Sequence, residues 1–132
     1  MVVFDSSVFV DQLRTDCHAR RMAALEDLVR TSSVVLAELW RGATTQAEQT
    51  LLRDLAGKFP VLTPTEKNWL ESGQVLMKIQ KDRGFDWHKL RDLHFDVLIA
   101  LTARAHGARL ITSNRDDFEL IRDYRDFKLE VW

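Results

Sequence analysis

Asp5, Glu38, Asp96 and the neighbouring pair Asp116 and Asp117 are the residues whose surroundings demand a chemical explanation. Asp5 directly follows the β-branched and aromatic run Val2 to Phe4, which places it at the carboxyl end of a strand, where open α/β sheets keep their ligand crevice. Asp is also a good helix N-cap, and that plainer role stays open. Glu38 lies inside VVLAELW and Asp96 inside FDVLIALTA, each flanked by apolar residues. An ionised carboxylate left unpaired in such surroundings costs on the order of several kcal/mol, or its pKa climbs until it is neutral. Each therefore needs solvent, an arginine (Arg41 for Glu38, Arg91 or Arg104 for Asp96) or a cation. The last group, TSNRDDF from Thr112 to Phe118, follows the apolar ARLIT run. Asn114 suits an N-cap there, with Asp117 at N3 on the favourable end of the helix dipole.

Taken jointly the acids say more than they do singly. Within a few Å of one another they would repel by several kcal/mol at an effective dielectric near ~20, so their meeting calls for cations. Oxygen ligands without Cys or His select Mg²⁺ or Mn²⁺, ions that keep waters and accept substrate phosphates. One or two such ions activate a water and neutralise phosphoryl charge, and phosphodiester hydrolysis is the reaction this equipment suits. Other chemistries lack their motifs: there is no GxGxxG, Walker loop, GxSxG, HExxH or CxxC, and the four histidines do not pair with Cys17 at zinc-finger spacing. A haloacid-dehalogenase-like phosphatase also has an Asp after its first strand but requires a second Asp two residues on, where this chain has Ser7. His88, His94 and His106 are not read as catalytic; on a helix His94 faces away from Asp96, two residues later.

Positioning these acids falls to a pattern of alternating elements. Val2 to Phe4, Phe59 to Leu62, Arg109 to Thr112 and Phe127 to Val131 read as strands, and Thr31 to Ser33 has room for another. Between them the spacing predicts a helix N-capped by Asp16 and ending near Arg30, one over VVLAELWRG, one from Thr44 to Ala56, one opened by Thr63-Pro64-Thr65-Glu66 and closed by Arg83-Gly84, a nearly all-apolar one from Phe95 to Ala105, and a short one from Asn114 to Leu120. Alternating strands and helices argue for an α/β layered fold with a largely parallel sheet. The 132 residues are 45% apolar and 30% charged, enough for one domain with a substantial core. No apolar run spans a bilayer, no basic segment precedes the apolar start, and the single Cys17 makes no internal disulfide, so a soluble cytoplasmic protein without a membrane partner is expected. A net charge of −1 gives no global attraction to nucleic acid, although Arg14, Arg20, Arg21 and Arg41 are available for local phosphate contacts. Leu39 and Trp40 are expected in the core, with a partner groove as the other option, and Trp87 and His88 in a surface loop with a possible role in substrate choice.

DSSVFVD at 5 to 11, ELWRG at 38 to 42, DVLIALTA at 96 to 103 and TSNRDDF at 112 to 118 together resemble the PIN-domain ribonucleases, in particular the VapC-type toxins of toxin-antitoxin pairs. The order and spacing of all four blocks agree, over essentially the whole chain. The resemblance implies a three-layer α/β/α sandwich around a mostly parallel sheet, with residues 1–132 forming a single ribonuclease domain. It also implies a Mg²⁺- or Mn²⁺-dependent endoribonuclease, usually a homodimer, held inactive by a small cognate antitoxin. By position, Asp5 and Asp96 would be the principal metal ligands, with Glu38 completing the acidic site and Asn114 and Asp117, rather than Asp116, contributing from the last block. Ser7 would orient Asp5 or a water. Asn114 stands where the family often has Asp, which keeps a second function in view: a catalytically inactive PIN-like module that binds RNA or a partner.

Overall fold

The computed structural model describes residues 1–132. The chain runs β1 (Val2–Phe4), α1 (Ser6–Thr15), α2 (Ala19–Ala23), β2 (Val29–Ser32), α3 (Ser33–Gly42), α4 (Gln46–Lys58), β3 (Val61–Leu62), α5 (Glu66–Arg83), α6 (Trp87–Ala105), β4 (Arg109–Thr112), α7 (Arg115–Arg122) and β5 (Lys128–Val131). The five strands form one sheet in the order β3-β2-β1-β4-β5, and every pairing is parallel. The central strands β1 and β4 are buried on both faces, while the edge strands β3 and β5 are partly exposed. Val3 and Leu110 point into one apolar cluster, while Val2, Phe4 and Ile111 point into another with Val8 of α1. A sheet covered on both faces by helices is the layered α/β sandwich that the alternating pattern predicts.

The larger cluster is dominated by α6, whose residues Val97 to Ala103 are all buried, against Val75 and Ile79 of α5 and Phe118 and Ile121 of α7. Burying such aliphatic side chains contributes roughly 1.5–3 kcal/mol each. Asp96 is thus carried at the edge of the most deeply packed helix in the molecule. No helix is long and apolar enough to cross a membrane.

Several boundaries depart from the sequence reading. No helix runs from Asp16 to Arg30: Asp16 adopts φ 53° as the left-handed C-cap of α1, and Met22, Leu25 and Val29 pack against the smaller cluster from α2, a turn and the start of β2. Their three- and four-residue spacing matches a helix because loop residues lying over a sheet face can share it. The chain enters α5 through Thr65, not Thr63; Thr65 Oγ1 accepts the Asn68 N–H, and the Asn68 side chain accepts the Thr65 N–H, a reciprocal capping box. Helix α6 begins two turns before Phe95, at Trp87, because Asp86 caps it through the Lys89 N–H. Trp87 and His88 are therefore helical rather than loop residues. Trp40 is exposed, under the Arg53 guanidinium, and does not join the core, whereas Leu39 packs partly against it.

Candidate active site

The strand order changes direction between β1 and β4: the chain leaves β1 toward β2 and β3 on one side, then returns to build β4 and β5 on the other. Loops on the two sides diverge at such a switch point and leave a crevice beyond the carboxyl ends of the strands. Asp5 follows β1, Thr112 and Asn114 end β4, and Glu38 sits on the helix leaving β2.

Asp5 is 2% exposed, a depth at which a carboxylate must be compensated. It occupies the N-cap position of α1, yet its side chain makes no capping bond. Its Oδ2 instead accepts hydroxyl hydrogen bonds from Ser7 at 2.7 Å and Thr112 at 2.9 Å. Both donors are held from behind, because Ser7 Oγ accepts the Ser113 N–H at 3.0 Å and Thr112 Oγ1 accepts the Asn114 N–H at 2.9 Å. The loop after β4 is thus stitched to the first turn of α1, and the aim of Asp5 is fixed by chain segments more than a hundred residues apart. Oδ1 has only the Ser6 hydroxyl, at 3.5 Å, and is left available.

Glu38 is half-buried, and Ser6 donates to its Oε2 at 2.6 Å, leaving Oε1 free. Burial raises the Glu38 pKa, the Ser6 hydrogen bond opposes this, and Asp5 and Arg41 pull in opposite directions. The Arg41 guanidinium lies over the Phe95 ring at 5.1 Å instead of pairing with Glu38 at hydrogen-bond distance. Asp96 has no donor at all. Its carboxyl is pushed up to about 9, first by burial, then by the charges of Asp5, Glu38 and Asp117, against a weaker opposing pull from Lys89. Neither arginine proposed as its partner serves it: Arg104 donates to the Asp126 carbonyl, and Arg91 lies against His88.

Asp117 has a donor on each oxygen. Lys89 Nζ donates to Oδ1 at 2.7 Å, and Asn114 Nδ2 donates to Oδ2 at 3.0 Å. Asn114 holds the N-cap position of α7, but its side chain accepts no cap bond and serves Asp117 instead. Asp116 is exposed on the same helix and does not act on Asp96.

The acids are thus brought into electrostatic reach of one another, but not into the tight nest that the sequence suggests. No three Asp, Glu, His or Cys side chains are placed to hold an ion among them. The Ser6 hydroxyl lies between Glu38 and Asp5, and Asp117 is engaged by Lys89 and Asn114. The donor set nevertheless fits a hard divalent ion. It is all oxygen, and Asp5, Glu38 and Asp96 each present at least one oxygen without a close donor, which Mg²⁺ or Mn²⁺ takes readily. Ser6 and Lys89 were not legible as site residues. Lys89 stands seven residues before Asp96, two turns up the same helical face, a signal that exists only once α6 is known to start at Trp87.

His94 turns the other way, its Nε2 3.0 Å from Ser72 Oγ and its ring edge-on to Trp69. Beside the acids, a groove of about 630 Å³ opens between α1, α3 and α4; Ser6 and Glu38 form its inner end, Phe9, Leu13 and Leu51 its apolar wall, and Arg14 lies on its rim.

Residues 2–123 match the PIN domain. No curated protein matches the sequence. Among solved structures, VapBC2 from Rickettsia felis bound to a DNA fragment from their promoter aligns over 100% of this chain and 99% of that one, with 23% identity and a TM-score of 0.75. VapBC-1 from nontypeable Haemophilus influenzae aligns over 100% and 98%, with 23% identity and a TM-score of 0.74. DNA-bound VapBC from Salmonella typhimurium aligns over 100% and 99%, with 21% identity and a TM-score of 0.75. At these identities the structures speak for a shared fold, and the sequence match over nearly the full length decides the family: the chain belongs to the PIN-domain proteins.

Proposed function

We propose that this PIN-domain protein is the toxin of a toxin-antitoxin pair, a Mg²⁺- or Mn²⁺-dependent endoribonuclease that hydrolyses RNA phosphodiester bonds. The observation that carries the reading is Asp96: a half-buried carboxyl without a hydrogen-bond donor, in electrostatic reach of Asp5, Glu38 and Asp117 and pushed up to about 9 by desolvation and by those three acids. A carboxylate held there without a donor is stabilised when a cation meets it.

Asp5 and Asp96 would hold the ion through their open oxygens, with Glu38 completing the set directly or through water. A bound ion supplies Lewis acidity that neutralises phosphoryl charge and eases ionisation of water. The chain's own groups do the rest. Ser7 and Thr112 fix the aim of Asp5 as positioning residues. Glu38 keeps Oε1 free and has a raised pKa, the properties of a proton acceptor for an attacking water. Asn114 and Lys89 hold Asp117 at the border of the crevice. The groove beside Glu38, apolar with Arg14 at its rim, suits an extended or helical segment of a small antitoxin, which would block the site by lying against it. The VapBC complexes similar to this chain support such a partner.

The test is cleavage of RNA by the purified chain with Mg²⁺ or Mn²⁺, with EDTA, and in Asp5→Asn and Asp96→Asn. Activity that needs the ion and disappears in both variants is expected. Activity surviving EDTA and both substitutions would remove the proposed site. The second reading, an inactive module that only binds RNA or a partner, is favoured by one feature: Asn114 donates to Asp117, so the last block offers no free carboxylate. RNA binding without cleavage under any divalent ion would select it.

A further inference from the structure

Lys89 brings a fixed positive charge into this site. It is rooted at the third position of α6, where Asp86 accepts its backbone N–H at 2.9 Å, and its ammonium reaches Asp117 Oδ1 at 2.7 Å. None of Asp5, Glu38 and Asp96 has an ion pair within 4.0 Å, so Lys89 is the one cation in direct contact with the acids of the crevice. Each Asp117 oxygen already has a donor, so an ion approaching Asp117 would have to compete with the Lys89 ammonium. The oxygens without a close donor belong to Asp5, Glu38 and Asp96.

The geometry points to Lys89 standing in for a second metal ion: the site takes one divalent cation, on the Asp5–Glu38–Asp96 side, while the lysine ammonium neutralises Asp117 in cis. This rests on the metal-dependent reading of the site. Charge balance agrees with it. With all four carboxylates ionised on ion binding, Lys89, the nearby Arg41 guanidinium and one divalent ion balance their charge. A second ion would add a further double charge and would compete with the Lys89–Asp117 ion pair. An ammonium is a compact point charge on a flexible stem, well suited to this substitution, and unlike a metal ion it cannot be removed by a chelator. Lys89 is in this view a positioning residue: it sets how many ions bind and holds Asp117, without touching the reacting atoms.

The test is the stoichiometry of Mn²⁺ binding to the full chain by titration calorimetry, with electron paramagnetic resonance to detect coupled Mn²⁺ pairs. Wild type is expected to bind about one ion, Lys89→Arg the same, and Lys89→Met about two, with pair coupling appearing only in the last. In Lys89→Met combined with Asp117→Asn the second ion should vanish, because its ligand is gone. Lys89 is partly exposed, so Lys89→Met is compatible with folding, and circular dichroism verifies it. Two ions in wild type, or one ion in both wild type and Lys89→Met, would overturn the inference and leave the metal-dependent reading standing. Binding of no ion by wild type would overturn both.

Discussion

Asp5 and Asp96 are the same residue type within electrostatic reach of each other, and the fold treats them in opposite ways. Asp5 emerges from a strand end where three chain segments meet, and their hydroxyls satisfy it: Ser7 and Thr112 both donate to Oδ2. Asp96 emerges from the flank of a helix whose backbone N–H groups are already spent along its own axis, among side chains that are nearly all apolar. Nothing donates to it, and its carboxyl rises to about 9. Loop and strand ends can orient a charge because they carry spare polar groups, whereas a buried helix can only expose a charge to whatever cation arrives. One acid therefore supplies alignment and the other supplies unmet demand.

Removing either carboxylate should nearly abolish RNA cleavage, by about 1000-fold or more, if both open oxygens hold an ion as proposed. Stability separates the two. In metal-free protein Asp96 binds its proton more tightly folded than unfolded, so its contribution to stability is intact below about pH 4 and is lost as pH rises toward about 9. Asp96→Asn removes that penalty. Its melting temperature at pH 8 should exceed that of wild type by several degrees, about 3–6 °C for each kcal/mol relieved, and the difference should shrink at pH 5. Adding Mn²⁺ should raise the melting temperature of wild type but not of Asp96→Asn. Asp5→Asn should gain less, because Ser7 and Thr112 lose a charged acceptor. Equal gains in the two variants, read by scanning calorimetry, would erase the distinction between the two acids.

The same contrast explains which parts were legible in the sequence. Acids inside apolar runs are visible because the cost of burying them is local, and so Glu38 and Asp96 could be picked out without a fold. Order and spacing of the strands were visible too, since short β-branched runs between helices leave few other arrangements. What distributes hydrogen bonds across the crevice was not. Ser6 and Glu38 are 32 residues apart, and Lys89 and Asp117 are 28 apart; neither pairing follows from any local rule. The start of α6 at Trp87 hinges on one capping bond from Asp86, a residue that reads equally well as loop. The four acids come into electrostatic reach of one another without forming a tight nest, for a related reason. Local donors claimed Glu38 and Asp117, and such donors are invisible until the chain is folded.

The hydroxyls around Asp5 should matter less than the carboxylate they aim. Thr112→Val keeps the shape of a fully buried side chain but deletes its hydrogen bond to Asp5 and leaves the Asn114 N–H without its acceptor. Loss of such an orienting partner typically costs 10–100-fold in metal affinity or activity, roughly, and a similar fall in cleavage is expected here. Ser7→Ala should fall in the same range, since it removes the other donor to Oδ2 and the acceptor of the Ser113 N–H. Raising the Mn²⁺ concentration should recover part of the activity in both variants if the defect is in holding the ion. Recovery should be absent in Asp5→Asn. Steady-state cleavage measured across a metal titration distinguishes the two behaviours, and variants indistinguishable from wild type would mean that Asp5 is aimed by its backbone alone.

The smallest effect belongs to the one ionisable side chain next to Asp96 in sequence that the crevice does not use. His94 lies two residues before Asp96 on α6, and the helix turns it toward α5, where it meets Ser72 and the edge of Trp69. Burial lowers its pKa below the usual histidine value, so at neutral pH it has no positive charge with which to steady a phosphate. It also faces away from any water that Glu38 could activate. His94→Ala should therefore cut a hydrogen bond and an aromatic contact, destabilise the protein by about 1 kcal/mol, and leave cleavage within about 3-fold of wild type. Both numbers come from one preparation, by denaturant unfolding and by RNA cleavage. A fall of ~100-fold with stability little changed would mean that proton transfer runs through this imidazole, and that the carboxylates of the crevice serve only to bind the ion.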